Sequence, residues 1–322
     1  MIFPWQKKKA ENSLSTPRAS DAYRTAFWNA MRTKAVSNDL AEGTQTQGGY
    51  LVPIEFERML VQALGENNVI RQLARVIPTH GTELQIPVVA SRGNASWLTE
   101  GGEISLSDDV FGQVTLGAYK LGTMIKVSHE LLADSAFPLD SFLAEDFGRR
   151  IGDLEEEAFV SGNGTGKPTG FLTTASVGKT AASPTAITFD EVIDLYHSLK
   201  SPYRKKSVFI ANDLTISAMR KLKDSNGRYL WQPALTAGDP DTILGRPVYV
   251  SSFMPQIAAG AKALAFGDFS YYWIGDRQGR TFQRLEELFA GTDQVGFKAT
   301  QRVDGKLILP EAVKVLAMGA SS

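Results

Sequence analysis

Between Ala136 and Ser161 apolar residues return at three- and four-residue steps: Leu139, Phe142, Leu143, Phe147, Ile151, Leu154 and Ala158. That spacing sets them on one stripe of a helix. Pro138 suits a first helical turn, and Asp140 lies at the positive end of the helix dipole. Asp146 with Arg150, and Arg149 with Asp153, are spaced for ion pairs on the wet side. At roughly 1.5 Å per residue such a helix is a rod of about 33 Å. Gly162, Gly164, Gly166, Pro168 and Gly170 then end it in a turning loop. The pattern predicts a strut that the rest of the chain is built around.

Upstream, Ala22–Lys34 predicts a short helix in an otherwise polar, solvated terminus. Tyr50–Leu73 reads as a short strand followed by a helix from Ile54. Glu83–Val89 and the longer run Val110–Val127 alternate with the period of a strand. The stretch between them carries little pattern but holds Gly93, Gly101 and Gly102, with Gly112 just beyond. Compact domains rarely tolerate so long a plain connection, so it reads as the tip of a two-stranded ribbon. An isolated ribbon is marginal in water. The sequence offers no evident local surface for it, which predicts that it lies on another molecule.

Downstream, the Ser/Thr/Ala-rich stretch Thr173–Thr185 reads as a linker. Thr188 with Glu191 is a capping-box signal for a helix through Leu199. Ser207–Ala211 and Arg246–Ser251 read as short strands, and Asn212 or Asp213 caps a helix running to Leu222. Helix and strand alternate here, which predicts an α/β module. The C-terminal quarter is β-rich, with turn signals at Asp276–Gly279 and Asp304–Gly305; an Asp-Gly pair between apolar runs is a hairpin signal. The sheet so formed is the expected partner of the strut's apolar stripe.

The length of 322 residues suggests about two domains at roughly 150 residues each. There is no cysteine, which excludes a disulfide scaffold, a thiolate zinc site and a cysteine nucleophile. No apolar run approaches the roughly 20 residues that span a bilayer. The start, MIFPWQKKKAENS, has no apolar stretch behind its lysines and does not read as a secretion signal. A net charge of −1 gives no large field for gripping nucleic acid, and it lets many copies crowd with little repulsion. Lys7, Lys8, Lys9, Arg18, Arg24, Arg32 and Lys34 make the N-terminal arm locally basic, fit to dock on a neighbour or on nucleic acid.

Candidate chemistry is sparse. GNGTGKPTG has Ser161 where a phosphate loop needs its leading glycine and Pro168 after Lys167, and it follows a helix. His80, His129 and His197 sit in separate segments. Glu155, Glu156 and Glu157 read as a solvated helix end, or else as a contact for a neighbour's basic residue. Tyr229 and Trp231 are either core plugs or interface anchors. No catalytic constellation emerges, and no cofactor or metal is implied.

The pieces GGYLVP, EGGEISLSDDVF, EEEAFVSGNGTGKPTGFL, LKDSNGRYLW, LGRPVYVSSFMP, AFGDFSYYWIGDRQGR and DGKLILPEAVKVL occur in this order over residues 44–318. Together they resemble the major capsid proteins of tailed bacteriophages, the Hong Kong 97-like fold. The resemblance implies an α+β subunit with an N-terminal arm (1–45) and a first part of a peripheral domain (46–81). An extended β-hairpin loop (82–127) and a peripheral stretch (128–182) with a spine helix (139–160) and the glycine loop follow. An axial α/β domain (183–261) and a returning peripheral sheet (262–322) complete it. It implies self-assembly into hexamers and pentamers of an icosahedral shell around double-stranded DNA, built in a host bacterial cytoplasm and found in the virion. Axial domains would surround the symmetry axes and the extended loop would lie over the adjacent subunit. Gly117, Gly122 and the tip glycines would let one ribbon adopt different tilts.

The implied partners are copies of the chain itself, with a scaffolding protein, a maturation protease and a portal as further candidates; DNA is contacted non-specifically at most, and no membrane is involved. Trp97, Glu100, Glu103, Arg149, Glu155, Arg228, Tyr229 and Trp231 are the candidate assembly contacts. The sequence departs from the family's type member at its cross-link, a lysine–asparagine isopeptide promoted by a glutamate. Those positions hold Ile104, Asp293 and Thr300, so no self-cross-linking is expected. No charged coiled-coil precedes the arm, so a scaffold is separate, removed or unused. The alternatives are an encapsulin-like nanocompartment shell, a tail or sheath component, and a nucleotide-binding enzyme acting through the glycine loop.

Overall fold

The computed structural model describes residues 20–33, 50–51, 53–79, 81, 83–91, 110–133, 138–223, 226–229, 231, 241–285 and 287–321. The chain forms two compact units, each from separated stretches. The first is Met1–Asn67, Lys120–Asp153 and Gly279–Gln301; the second is Asn68–Tyr119, Leu154–Gln278 and Arg302–Ser322.

In chain order, α1 spans Asp21–Thr33, β1 is Tyr50–Leu51, α2 is Ile54–Asn67 and α3 is Val69–Leu73. Buried Asn68 separates the last two, and its Oδ1 caps α3 by accepting the Arg71 N–H at 2.9 Å. β2 (Arg75–Thr79), β3 (Leu84–Ser91), β4 (Val110–Leu116), β5 (Tyr119–Ser128) and α4 (His129–Ala133) lead into α5, the long helix Leu139–Ser161. The run expected as one strand over 110–127 is therefore two, parted at Gly117 and Ala118. α6 (Phe171–Thr174), β6 (Ser176–Thr180), α7 (Phe189–Ser198), α8 (Ser201–Arg204), β7 (Val208–Ala211) and α9 (Asp213–Arg220) follow. The chain closes with β8 (Thr242–Ile243), β9 (Arg246–Val250), β10 (Lys262–Gly267), β11 (Tyr272–Leu285), β12 (Gln294–Leu307) and β13 (Val313–Ala317).

In the first unit the strands run in the order β1-β11-β12-β5, and α1, α2 and the first part of α5 share their core. Phe282 is its hub, with the rings of Phe56 at 5.7 Å, Phe147 at 5.2 Å and Phe297 at 5.9 Å. Tyr23, Phe27 and Met31 of α1 are buried in it, so this part of the terminus is core rather than a solvated arm. Leu139, Leu143, Phe147 and Ile151 of α5 are buried, whereas Phe142 and Leu154 are exposed. The seam turns toward Ala144 and Gly148, because α2 comes close there. A Cβ on Gly148 would stand 2.5 Å from the Ala63 Cβ. On the wet side Asp146 takes both Arg149, at 2.8 Å, and Arg150, at 2.9 Å.

The second unit holds a six-stranded sheet in the order β6-β13-β10-β7-β9-β8. β7 and most of β10 are buried, as fits central strands covered on both faces. The capping box of α7 is complete: Thr188 and Glu191 exchange bonds to each other's backbone N–H. Two expectations fail here. Thr173–Thr185 is no linker, since β6 lies in it and pairs in parallel with β13. β10 and β13, expected in the returning sheet, flank one another in this one. The turn signals at Asp276–Gly279 and Asp304–Gly305 fail too, because β11 and β12 run through them. Gly305 serves close packing instead: a Cβ there would stand 2.6 Å from the Tyr272 hydroxyl and 3.0 Å from the Phe159 ring.

Candidate assembly surfaces

β3 and β4 pair antiparallel from Leu84↔Leu116 to Ser91↔Val110, with a slip between Val89 and Ser91. One face of this ribbon root has Leu84, Ile86 and Val88 beside Val114 and Leu116, and it packs on Trp273 and Ile308. The root thus has a surface of its own within the second unit, contrary to expectation. The outer stretch, with Trp97, Glu100, Glu103 and Ile104, lies outside the described residues.

Polar bonds fasten the root as well. Lys306 Nζ donates to the Thr115 carbonyl at 2.6 Å, and Asp304 Oδ2 accepts the Gly117 N–H at 2.6 Å. Asp304 Oδ1 accepts the Gly305 N–H at 2.8 Å, and Tyr119 Oη donates to the Gly164 carbonyl at 2.7 Å. Burial pushes the Asp304 carboxyl above the usual aspartate range, and the N–H bonds from Gly117 and Gly305 only partly oppose it. The Tyr119 phenol is raised by its own burial and by the Asp304 charge.

The glycine loop after α5 is bound up with itself. Gly164 N–H donates to the Pro168 carbonyl at 3.3 Å, and Gly170 N–H to the Gly162 carbonyl at 2.9 Å. A Cβ on Gly162 would stand 2.2 Å from the Pro168 carbonyl oxygen. Thr169 N–H donates to the Gly305 carbonyl, and Tyr272 Oη to that of Thr169. These amides are spent inside the fold and do not converge on an anion site.

Glu155 and Glu156 are buried, 1% and 3% exposed, and not the solvated helix end that three consecutive glutamates suggested. Glu155 receives Arg71 by both Nε, at 2.6 Å, and Nη2, at 3.1 Å; Arg71 Nη1 reaches Asp276 at 3.1 Å. Burial pulls the Arg71 pKa down, but Glu155 and Asp276 together drive it above its ordinary value. Glu156 accepts from Ser251 Oγ at 2.6 Å and from the Val69 N–H at 3.1 Å. Glu155 is an internal lock and is withdrawn from the set of contact residues. The sequence pattern does not mark Arg71 or Ser251, and it marks Asp276 only as a turn residue; the one available signal was an arginine inside the short apolar helix VIRQL.

In the first unit one face of the sheet carries an open trough. Lys120 and Gly122 of β5 alternate with inward Leu121, Ile125 and Val127, while Lys298 and Thr300 stand outward on β12. They line an open trough of about 370 Å³. Its floor is Gly122, where a Cβ would come within 3.0 Å of the Ala299 carbonyl oxygen and of Thr300. Thr300 shares a hydrogen bond of 2.6 Å with Thr281. Asp293 sits in a left-handed turn, φ 51°, before β12. Arg149 is exposed on α5, bonded to Asp146.

Of the aromatic pair, Trp231 is buried in the core of the second unit with the Arg220 guanidinium 5.4 Å above its ring. Tyr229 is 60% exposed, and the Lys223 ammonium lies 4.8 Å from its ring. The sequence left plug and anchor open, and the burial divides the pair between them. Arg228 is exposed beside Gly227, φ 80°, in the loop closed by the Lys223–Tyr229 bridge. Among the described residues no group of three or more His, Asp or Glu side chains could hold a metal ion. No helix among them is long and apolar enough to cross a membrane.

A model of the phage capsid family matches residues 48–318. The major capsid protein of Klebsiella oxytoca phage phiKO2 is 25% identical over 244 residues, 71% of this chain and 56% of that protein. That of Staphylococcus phage 80alpha is 30% identical over 175 residues, 53% of this chain and 52% of that protein. The chain spans about half the length of the curated relatives it matches. Among solved structures, the capsid of a native GTA particle superimposes with a TM-score of 0.69 at 33% identity, over 78% of this chain and 90% of that one. A structure from Microbacterium phage Oxtober96 shares the fold, with a TM-score of 0.62 at 18% identity over 78% and 91% of the two chains.

Proposed function

This chain belongs to the phage capsid family, and on that premise we propose that it is the major head protein of a tailed phage. Its fold is the α+β fold of Hong Kong 97-like capsids. In this reading copies of the chain form the hexamers and pentamers of a closed icosahedral shell around double-stranded DNA. A scaffolding protein, a protease and a portal are its partners in a bacterial cytoplasm.

The β3–β4 ribbon is the observation that carries the reading. Its root is fixed on the second unit, and beyond it the sequence 99–109 holds Glu100, Glu103, Asp108 and Asp109 with no lysine or arginine. The open trough of the first unit offers Lys120 and Lys298. An acidic ribbon end from one copy laid on the basic trough of the next is favourable in charge, and oriented by it. Tyr229, with the Lys223 ammonium on its ring, gives the second unit an exposed aromatic–cation pair of the kind that anchors interfaces, and Arg228 is exposed beside it. Many such contacts, each modest, let wrong bonds dissociate before the accumulated area closes the shell.

Negative-stain microscopy of the expressed full chain tests this, and closed spheres are the expected outcome. Deleting residues 92–109 should leave a folded protein that forms no closed particle. Normal shells from that deletion, or tubes from the intact chain, overturn the reading; spheres filled with protein instead of nucleic acid move it to the nanocompartment.

A further inference from the structure

β4 ends at Leu116 and β5 begins at Tyr119, so the ribbon departs at Thr115–Ala118. A backbone ladder would normally satisfy the peptide groups at such a place. Here, where that ladder ends at Leu84↔Leu116, two side chains of β12 reach the backbone as well, and being two residues apart they project from one side of the strand. Lys306 holds the Thr115 carbonyl and Asp304 holds the Gly117 N–H, each at 2.6 Å. Both bonds are charge-assisted and therefore strong for their kind.

We propose that Asp304 and Lys306 are positioning residues that set the direction in which the ribbon leaves the second unit. This rests on the reading of the ribbon as the contact between copies. The apolar packing of Leu116 and Ile86 on Ile308 holds the root down, but it is non-directional and permits rotation. The two polar bonds grip backbone atoms on either side of Leu116, so turning the ribbon about its root breaks one of them. Asp304 is only 1% exposed, and water does not readily replace a lost bond there. An aspartate is required in particular, because N–H groups approach both of its oxygens, from Gly117 and from Gly305. Asparagine can accept on one oxygen alone and would turn its own NH₂ toward the other donor. Glycine at 117 is not demanded by space, since a Cβ there would lie 3.5 Å from Asp304 Oδ2, an ordinary contact.

The test uses the full chain and the variants Asp304→Asn, Lys306→Met and Lys306→Arg, read by amide hydrogen exchange, thermal midpoint and electron microscopy. Exchange at residues 114–119 should rise about tenfold or more in Asp304→Asn and Lys306→Met while β10 and β13 stay protected. Closed particles should become rare in both, and Lys306→Arg should restore them. Unchanged exchange at the root, or a rise spread evenly over the second unit, overturns the proposal. So do normal shells from a variant whose root exchanges fast. If the unaltered chain forms no particles, the shell reading has failed, and the exchange measurement alone decides whether the two side chains hold the root.

Discussion

Two buried carboxylates of the second unit show two ways of keeping a charge out of water. Glu155 has a forked guanidinium across from it, and Arg71 in turn reaches Asp276. Asp304 has backbone N–H groups from Gly117 and Gly305, while nearby Lys306 gives its hydrogen bond to the Thr115 carbonyl. The first arrangement fixes both charges, because removing either partner strands the other. The second leaves the carboxyl open to protons, and its pKa is raised. Rigid scaffolding is built with the former, and the departure point of the ribbon with the latter.

Removing the lock should have the largest effect. Glu155→Ala is expected to cost about 3–5 kcal/mol by leaving Arg71 buried with half its partners. Urea unfolding of the variant checks this, and a loss no greater than that of a surface change would erase the contrast. Glu156→Gln should cost less, about 1 kcal/mol, since the amide can still accept the Val69 N–H and donate to the Ser251 hydroxyl, losing only the charge of those bonds.

The pH dependence sharpens the contrast further. A raised folded-state pKa means that the folded chain holds the Asp304 proton more tightly than the unfolded chain does. That contribution is complete below the ordinary aspartate pKa and is lost as pH rises through the raised value. Facing it are the Lys306 charge, which acts against the upward shift, and the Tyr119 and Tyr272 phenols, both raised above their ordinary value. Urea midpoints measured from acid to neutral pH should therefore fall by a small increment in the unaltered chain that is missing in Asp304→Asn. The smallest effect is expected from Asp146→Asn, no larger than that of a surface ion pair, because its partners Arg149 and Arg150 are both exposed.

What the sequence disclosed follows the range of the interaction. The α7 capping box was legible because Thr188 and Glu191 are three residues apart and bond each other's backbone. The seam of α5 was legible in period but not in phase. Phe142 fell outside it where Gly148 lets α2 approach at Ala63, a contact that no helical wheel contains. Glu155 and Glu156 read as wet because Arg71 lies 84 residues away along the chain. Asp304–Gly305 has the composition of a turn and serves as a clamp and a packing hub; the residue pair is the same and only its surroundings differ. β10 and β13 were recognised as strands, but which sheet takes a strand is set by distant partners, Val208–Ala211 and Ser176–Thr180. Of the proposed contacts, Tyr229, Arg228 and Arg149 stand exposed, while Glu155 and Trp231 belong to the interior.

The loop closed by Lys223 and Tyr229 has a practical corollary. On Gly227 a Cβ would meet nothing within 4 Å, and Arg228 next to it is exposed. A short epitope or affinity tag spliced in after Gly227 would be carried free of the fold. Its accessibility to an antibody on intact particles would report which surface of the container this loop decorates.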